Sequence, residues 1–238
     1  MESTRRPVVV GVNGRQPIAL HLALKAARSR AVPLRVVHSA SLPIDGGGQL
    51  YGHEVLEKLR QDGLAILDDA RQIVEDGTSC DVAVEYVLVT HNVFDALMEE
   101  AKRAAMLVLG TDEVPRVVQW VGSAVSTHCA LHAPCPVVVV PEHSQPTPRR
   151  GGVVVGLDGE SFAAGPLRFA FEQAEAVGGR DLRVVHAVEW GTPSADVEEL
   201  RANIGEILAG WRSEHPDVNM TVNFPIGAAT DVCRRASE

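Results

Sequence analysis

The chain has 238 residues, 45% of them hydrophobic and 22% charged, with 22 Lys and Arg against 31 Asp and Glu for a formal charge of -9. That composition is ordinary for a globular protein and excludes disorder as the default, and its sign disfavours attraction to phosphate backbones and anionic lipid, so neither nucleic acid nor a membrane is an expected partner. The apolar run after the basic start ends at Asn13 and Gly14, too short for a signal peptide or a membrane span; Cys80, Cys129, Cys135 and Cys233 form no CxxC pair, and the reading is a reducing cytoplasm.

Val8 to Val12 is a β-branched run bounded by Gly, as expected of a strand buried on both faces. From Pro17 onward Ile18, Leu22 and Ala26 recur every four residues and predict a helix with that stripe toward the core. Leu34 to His38 predicts a second strand. The glycines Gly46 to Gly48 read as a flexible connector, since no Lys-Ser or Lys-Thr follows them. Leu56, Leu59, Leu67, Ala70 and Ile73 then fit a long amphipathic helix. Asp81 to Val89 alternates as a third strand, and Asn92 is placed to cap a helix carrying Val93, Leu97 and Ala101. Met106 to Leu109 and Val137 to Val140 complete five strands, the last of them an edge that invites pairing. Strands alternating with helices predict an open five-stranded parallel sheet with helices on both faces, a Rossmann-like α/β fold. Ligands of such sheets bind near the topological switch point, here the ends of strands one and four.

The chain repeats itself. Val8-Val-Val-Gly-Val-Asn-Gly14 recurs as Val153-Val-Val-Gly-Leu-Asp-Gly159, and Leu34-Arg-Val-Val-His38 recurs as Leu182-Arg-Val-Val-His186. Two ordered matches at nearly one spacing indicate duplication. Between the copies, Pro141, Pro146, Pro148 and Gly151-Gly152 sit among polar residues, the composition of a linker. The expected organisation is a complete domain at 1–141, a linker at 142–152 and a second domain at 153–238. Asp231 to Glu238 aligns with the helix around Asp95, so the second copy is expected to hold strands one to three without the equivalents of strands four and five. Its Val153 strand then has one neighbour in the sheet, and the expectation is that the first domain or a second subunit covers this edge or that the second copy is only marginally ordered, aggregation-prone or molten when expressed alone.

The strongest local signal is the stretch from Leu109 to Val125, in which Gly110 ends a strand and Gly122-Ser123 is read as a helix start, an arrangement whose backbone N–H groups suit a phosphate. Together with the Val-Gly-Val-Asn-Gly start, the His38 strand end and the run His132-Ala-Pro-Cys-Pro-Val-Val-Val-Val-Pro141, the chain resembles the universal stress protein family, over residues 6 to 141 throughout and over about 151 to 238 as a partial second copy. The resemblance implies the adenine-nucleotide α-hydrolase-like form of the fold. It also implies a loop after strand four of the form G-x2-G-x9-G-[ST] that wraps the phosphates of ATP.

The candidate nucleotide contacts implied are Gly11, Val12, Asn13, Ser39, Gly110, Glu113, Gly122, Ser123 and Ala124, with Asp158 and Ala187 in the second copy, where Ala187 matches Ser39. The ligand would be ATP or AMP, bound weakly or not at all, with Mg only alongside nucleotide. Three features weaken the loop. Glu113 stands at the second glycine position and brings a Cβ and a negative charge; the run to Gly122 is one residue short; and Pro115 removes a donor. Asn13 replaces the family aspartate after strand one but still offers hydrogen bonds to a base or ribose.

His128 and His132, four apart on a helix with Cys129 and Cys135 nearby, have metal-ligand spacing but an incomplete ligand set, and the reading is an ordinary helix end with no metal site. No Ser/His/Asp arrangement and no acid–base pair is recognisable, so no enzymatic activity is expected. An adenylyl-transferring enzyme would need a Ser-Gly-Gly type loop after strand one, which Val12 to Arg15 does not supply, and Gly11 to Gly14 offers half of a dinucleotide motif. The function expected is a regulatory or interaction module with a degraded nucleotide pocket, the alternative being an ATP- or AMP-binding regulator whose nucleotide state controls assembly. A homodimer, or pairing between domains, is expected through Val137, Val138, Val139 and Val140.

Overall fold

The computed structural model describes residues 5–41, 52–76, 82–111, 119–141, 152–158, 164–176 and 181–237. The chain divides into two units, Met1–Gln145 and Pro146–Glu238. The linker expected at 142–152 lies, except for Gly152, outside the described residues.

The first unit runs β1 (Val8–Gly11), α1 (Pro17–Arg30), β2 (Leu34–Ser39), α2 (His53–Asp76), β3 (Val84–Val89), α3 (Val93–Ala101), β4 (Met106–Thr111), α4 (Gln119–His132), β5 (Val137–Pro141). Its sheet is parallel in the order β3-β2-β1-β4-β5. The chain works outward from β1 through β2 and β3, then returns past β1 to lay down β4 and β5. The switch point therefore falls between β1 and β4. Val8, Val9 and Val10 are wholly buried, as a central strand covered on both faces requires.

Two helices differ from their expected packing. On α1 the buried stripe is Ala19, Leu20, Ala23, Leu24 and Ala27, one to two residues on from the expected Ile18, Leu22 and Ala26, and Leu22 is exposed. The inner face thus combines three alanines with Leu20 and Leu24, and the alanines carry no mark in a count of large apolar residues. On α2 the buried residues are Gly63, Leu67, Ala70, Ile73 and Val74, whereas Leu56 is 52% exposed. Gly63 rests on His38, Ala40 and Leu88 at the strand ends. The helix runs antiparallel to the strands, so residues two turns before Gly63 reach past the strand ends, where no described residue of the sheet lies beneath them. The α3 start follows its sequence: Asn92 Oδ1 accepts the Phe94 N–H at 2.8 Å.

Arg35 on β2 ties three elements together. Its Nε and Nη2 donate to Glu100 on α3 at 2.8 and 3.0 Å, and its Nη1 pairs with Glu85 on β3. The hydrogen bond to Glu100, joined by that to Glu85, raises the guanidinium pKa against the opposing effect of burial.

The second unit runs β6 (Val153–Gly156), α5 (Ala164–Ala176), β7 (Asp181–Val185), α6 (Ser194–Glu214), β8 (Asn219–Asn223), α7 (Ala229–Ser237), with a parallel sheet in the order β6-β7-β8. Its core joins Leu157, Leu167, Phe171, Leu182, Val184, Ile204 and Leu208. The register Val153↔Leu182 corresponds to Val8↔Leu34, and Leu182↔Met220 to Leu34↔Val84. Three parallel strands so registered fit a second, partial copy of the first unit. Among the described residues β6 pairs with β7 alone, whereas β1 has both β2 and β4.

Candidate functional site

The C-terminal ends of β1, β2 and β4 carry the residues expected to meet a ligand, and each is held by its own contacts. Gly11 ends β1 against side chains: a Cβ built there would lie 2.8 Å from Leu109 Cδ2 and 3.0 Å from Leu97 Cδ2, so a larger residue would make those leucines on β4 and α3 turn aside. Val12 is fully engaged with β2. Its N–H donates to the Val37 carbonyl at 2.9 Å, and its own carbonyl accepts from His38 Nδ1 at 2.8 Å. His38 is thus a buried strand-end imidazole whose Nδ1–H tautomer is set by a carbonyl, which has no proton to give.

The turn that follows is tight. Asn13 N–H donates to Gln16 Oε1 at 3.1 Å, and Gly14 between them has φ 124°, with no heavy atom of the described residues beyond its chain neighbours within 4 Å of the place a Cβ would take. The Asn13 side chain is exposed at the mouth of the crevice. Ser39, at the end of β2, donates to the His91 carbonyl at 2.8 Å and lies 3.2 Å from Ser41 Oγ, so its hydroxyl is committed to the β3–α3 connection.

On the other side of the switch point Gly110 and Thr111 remain strand residues, in register with Val140 and Pro141 of β5. Glu113 lies outside the described residues. The expected helix start at Gly122-Ser123 is corrected: Gln119 already belongs to α4. The N–H groups without an intrahelical partner are those of a helix's first turn, so with Gln119 helical Ser123 and Ala124 fall beyond it.

With the strand ends described, comparison with known proteins decides the family. A universal stress protein family model matches residues 4–141, and Universal stress protein Rv3134c of Mycobacterium tuberculosis is 34% identical over 241 residues, 94% of this chain and 82% of its own. This chain belongs to the universal stress protein family. A universal stress protein from Archaeoglobus fulgidus DSM 4304 aligns over 98% of this chain and 82% of its own with a TM-score of 0.70 at 14% identity, which shows the shared fold. Another from Archaeoglobus fulgidus, solved in complex with dAMP, is 24% identical and covers 58% of this chain and 98% of its own, with a TM-score of 0.41.

In this universal stress protein the second unit repeats the strand-end geometry of the first. Leu157 N–H donates to the Val185 carbonyl at 3.0 Å, and the Leu157 carbonyl accepts from His186 Nδ1 at 2.8 Å, the counterparts of Val12, Val37 and His38. Asp158 follows at an exposed position and Ala187 at a half-buried one. Beyond them the strands continue into an isolated bridge between Val188 and Ile226.

Elsewhere in the first unit the His128 and His132 rings stand 4.7 Å apart, with Phe94 edge-on to His128 at 5.0 Å. Among the described residues no group of three His, Cys, Asp or Glu is placed to hold a metal ion. Cys129 on the inner face of α4 is buried in the core and Cys135, between α4 and β5, packs half-buried against it, and burial pushes both thiols up from the ordinary range.

Two residues of the crevice escaped the sequence reading. Gly63 stood on the inner face of an otherwise strongly patterned helix, where a glycine costs about 1 kcal/mol against alanine and so marks a close approach. Gln16 carried no comparable mark, since nothing in a Gln-Pro pair tells which way the amide turns.

Proposed function

We propose that this universal stress protein is a regulatory or interaction module with a degraded nucleotide crevice, made of one complete domain and a partial tandem copy, acting in the cytoplasm without catalysis. The observation that carries the reading is the closed β1–α1 turn: both backbone groups of Val12 and the N–H of Asn13 are already bonded within the chain. Glu113, Pro115 and the shortened run to Gly122 weaken the phosphate side in the same sense. With the crevice so occupied, the sheet edges are left as the surfaces for interaction. Strand β5 is an edge, and Val139 is 41% exposed on it, a surface suited to a homodimer or to pairing between domains.

A second reading, an ATP- or AMP-binding regulator whose nucleotide, with Mg, controls assembly, is favoured by the exposed Asn13 and by the space that the described residues leave beside Gly14. Calorimetric titration of the purified protein with ATP and AMP separates the two. The degraded crevice predicts no saturation below about 1 mM, and a dissociation constant in the low micromolar range would replace it with the second reading.

A further inference from the structure

In the second unit the connection from β7 to α6 is an ordered turn. The Val188 N–H donates to the Pro225 carbonyl at 2.9 Å and the Val188 carbonyl accepts the Gly227 N–H at 3.0 Å, the hydrogen bonds of its bridge to Ile226. The Glu189 carbonyl then accepts from the Thr192 N–H at 3.4 Å and from Thr192 Oγ1 at 3.0 Å. Glu189 to Thr192 is therefore a turn, and Gly191 has φ 89°, the positive value that the third residue of a type II turn adopts. Trp190 is the second residue of that turn. It is 84% exposed, and Ile226 on the bridged segment is 52% exposed. Trp211 on α6 contrasts with it, stacked on Phe171 at 5.6 Å. Trp190 is thus a large rigid ring, held out into solvent on a hydrogen-bonded backbone, and such an anchor loses little freedom when a partner covers it.

The charges around the turn select the partner. From Val188 to Arg201 the chain carries Glu189, Asp196, Glu198 and Glu199, all exposed, and Arg201 is the only basic residue of that stretch. Arg201 is already engaged, 3.6 Å from Glu198 and 5.2 Å over the Phe224 ring. Arg235 reaches Gly227 from α7, where its Nε donates to the Asp231 carbonyl at 3.2 Å. The balance is acidic. A second copy of the chain would bring the same carboxylates to the contact, and anionic lipid or nucleic acid would be repelled. A guanidinium fits both features, because it lies flat on an indole face while its N–H groups reach carboxylates.

We propose that Trp190, with Glu189, Asp196 and Glu199, is a docking site for a basic peptide segment of a partner protein, an arginine of which lies over the indole while Ile226 supplies apolar contact beside it. This surface is separate from the β5 edge of the first unit. It does not depend on whether the crevice of that unit takes a nucleotide.

The test titrates the full chain with capped hexa-arginine, hexalysine and hexaglutamate. Affinities are read by calorimetry and the indole N–H resonances of the 3 tryptophans by NMR, that of Trp190 being the one lost in Trp190→Ala. Hexa-arginine should shift the Trp190 resonance to saturation, hexalysine should bind more weakly, and hexaglutamate should not bind. Trp190→Ala should weaken hexa-arginine binding about two- to fivefold, the share of an exposed cation–π contact, and Asp196→Lys combined with Glu199→Lys should weaken it further. These positions are exposed, so the variants should keep the wild-type far-UV circular dichroism; should Trp190→Ala not fold, the double charge reversal is read in the same way. A Trp190 resonance unmoved by hexa-arginine at about 1 mM overturns the proposal, as does a folded Trp190→Ala that binds as tightly as wild type. A Trp190 shift that grows with protein concentration alone would assign the face to a second copy. One produced by phosphatidylglycerol vesicles or by AMP, and not by hexa-arginine, would assign it to lipid or nucleotide, and each of these outcomes also overturns the proposal.

Discussion

Gly63→Ala sets helix propensity against packing at the point where α2 meets the strand ends. A Cβ at residue 63 would lie 2.7 Å from Leu88 Cδ1, 3.0 Å from His38 Cδ2 and 3.1 Å from Ala40 Cβ. Leu88 can turn its side chain away. Ala40 Cβ moves only with its backbone, and the His38 ring is held by its 2.8 Å bond to the Val12 carbonyl. Alanine gains about 1 kcal/mol over glycine in a helix interior, while overpacking a core contact costs about 1–3 kcal/mol. With two of three neighbours unable to yield cheaply, the cost falls in the upper part of that range, and the net loss is about 1–2 kcal/mol. Gly205→Ala on α6 is the matched control, since a Cβ there meets no atom within 4 Å, and it should gain about 1 kcal/mol. Urea denaturation followed by far-UV circular dichroism reads both, with the His38 ring resonances reporting whether its bond to Val12 is disturbed. A Gly63→Ala protein as stable as wild type, alongside the expected gain in Gly205→Ala, would show that α2 does not rest on the strand ends as described.

Val139 is the exposed valine of the β5 edge, so Val139→Lys should shift any dimer toward monomer in sedimentation velocity without lowering the melting temperature; a wild type that is monomeric at micromolar concentration would remove the β5 interface. Backbone amides of Val153–Gly156 should exchange faster than those of Val8–Gly11, because β6 has one partner strand among the described residues and β1 has two; equal protection in a verified monomer would refute this. Burial raises the Cys129 and Cys135 thiols in the fold, so both should resist iodoacetamide near neutral pH until the first unit unfolds, and rapid modification of the native protein would contradict the packing. An acid whose folded pKa is raised adds stability below its unfolded pKa and loses it as pH rises through the folded value, so these two thiols predict a stability that declines on the alkaline side.

Much of the fold was legible in local pattern. The β-branched runs became β1, β2, β4 and β5, Asn92 caps α3 as its position required, and the two copies of Val-Val-Val-Gly opened two parallel sheets in the same register. The switch point between β1 and β4 follows from the order of those elements, because a strand-helix alternation with right-handed crossovers leaves few topologies open. Such features are legible because side-chain shape and period act over a few residues.

Tertiary structure decided what depends on residues far apart in the chain. The inner face of α1 is Ala19, Leu20, Ala23, Leu24 and Ala27, which the recurrence of Ile18, Leu22 and Ala26 misplaced by one to two positions. With Gln119 already helical, Ser123 and Ala124 lie past the helix's free donors, although the Gly-Ser pair reads locally as a boundary. His38 reaches back 26 residues to the Val12 carbonyl, and Arg35 reaches 65 residues forward to Glu100. Gln16 is only three residues from Asn13, yet that its amide is buried and bonded back to the Asn13 N–H shows only in the folded chain. A sequence specifies which groups can donate and accept. Which of them remain unsatisfied for a ligand is settled only when the chain has closed around them.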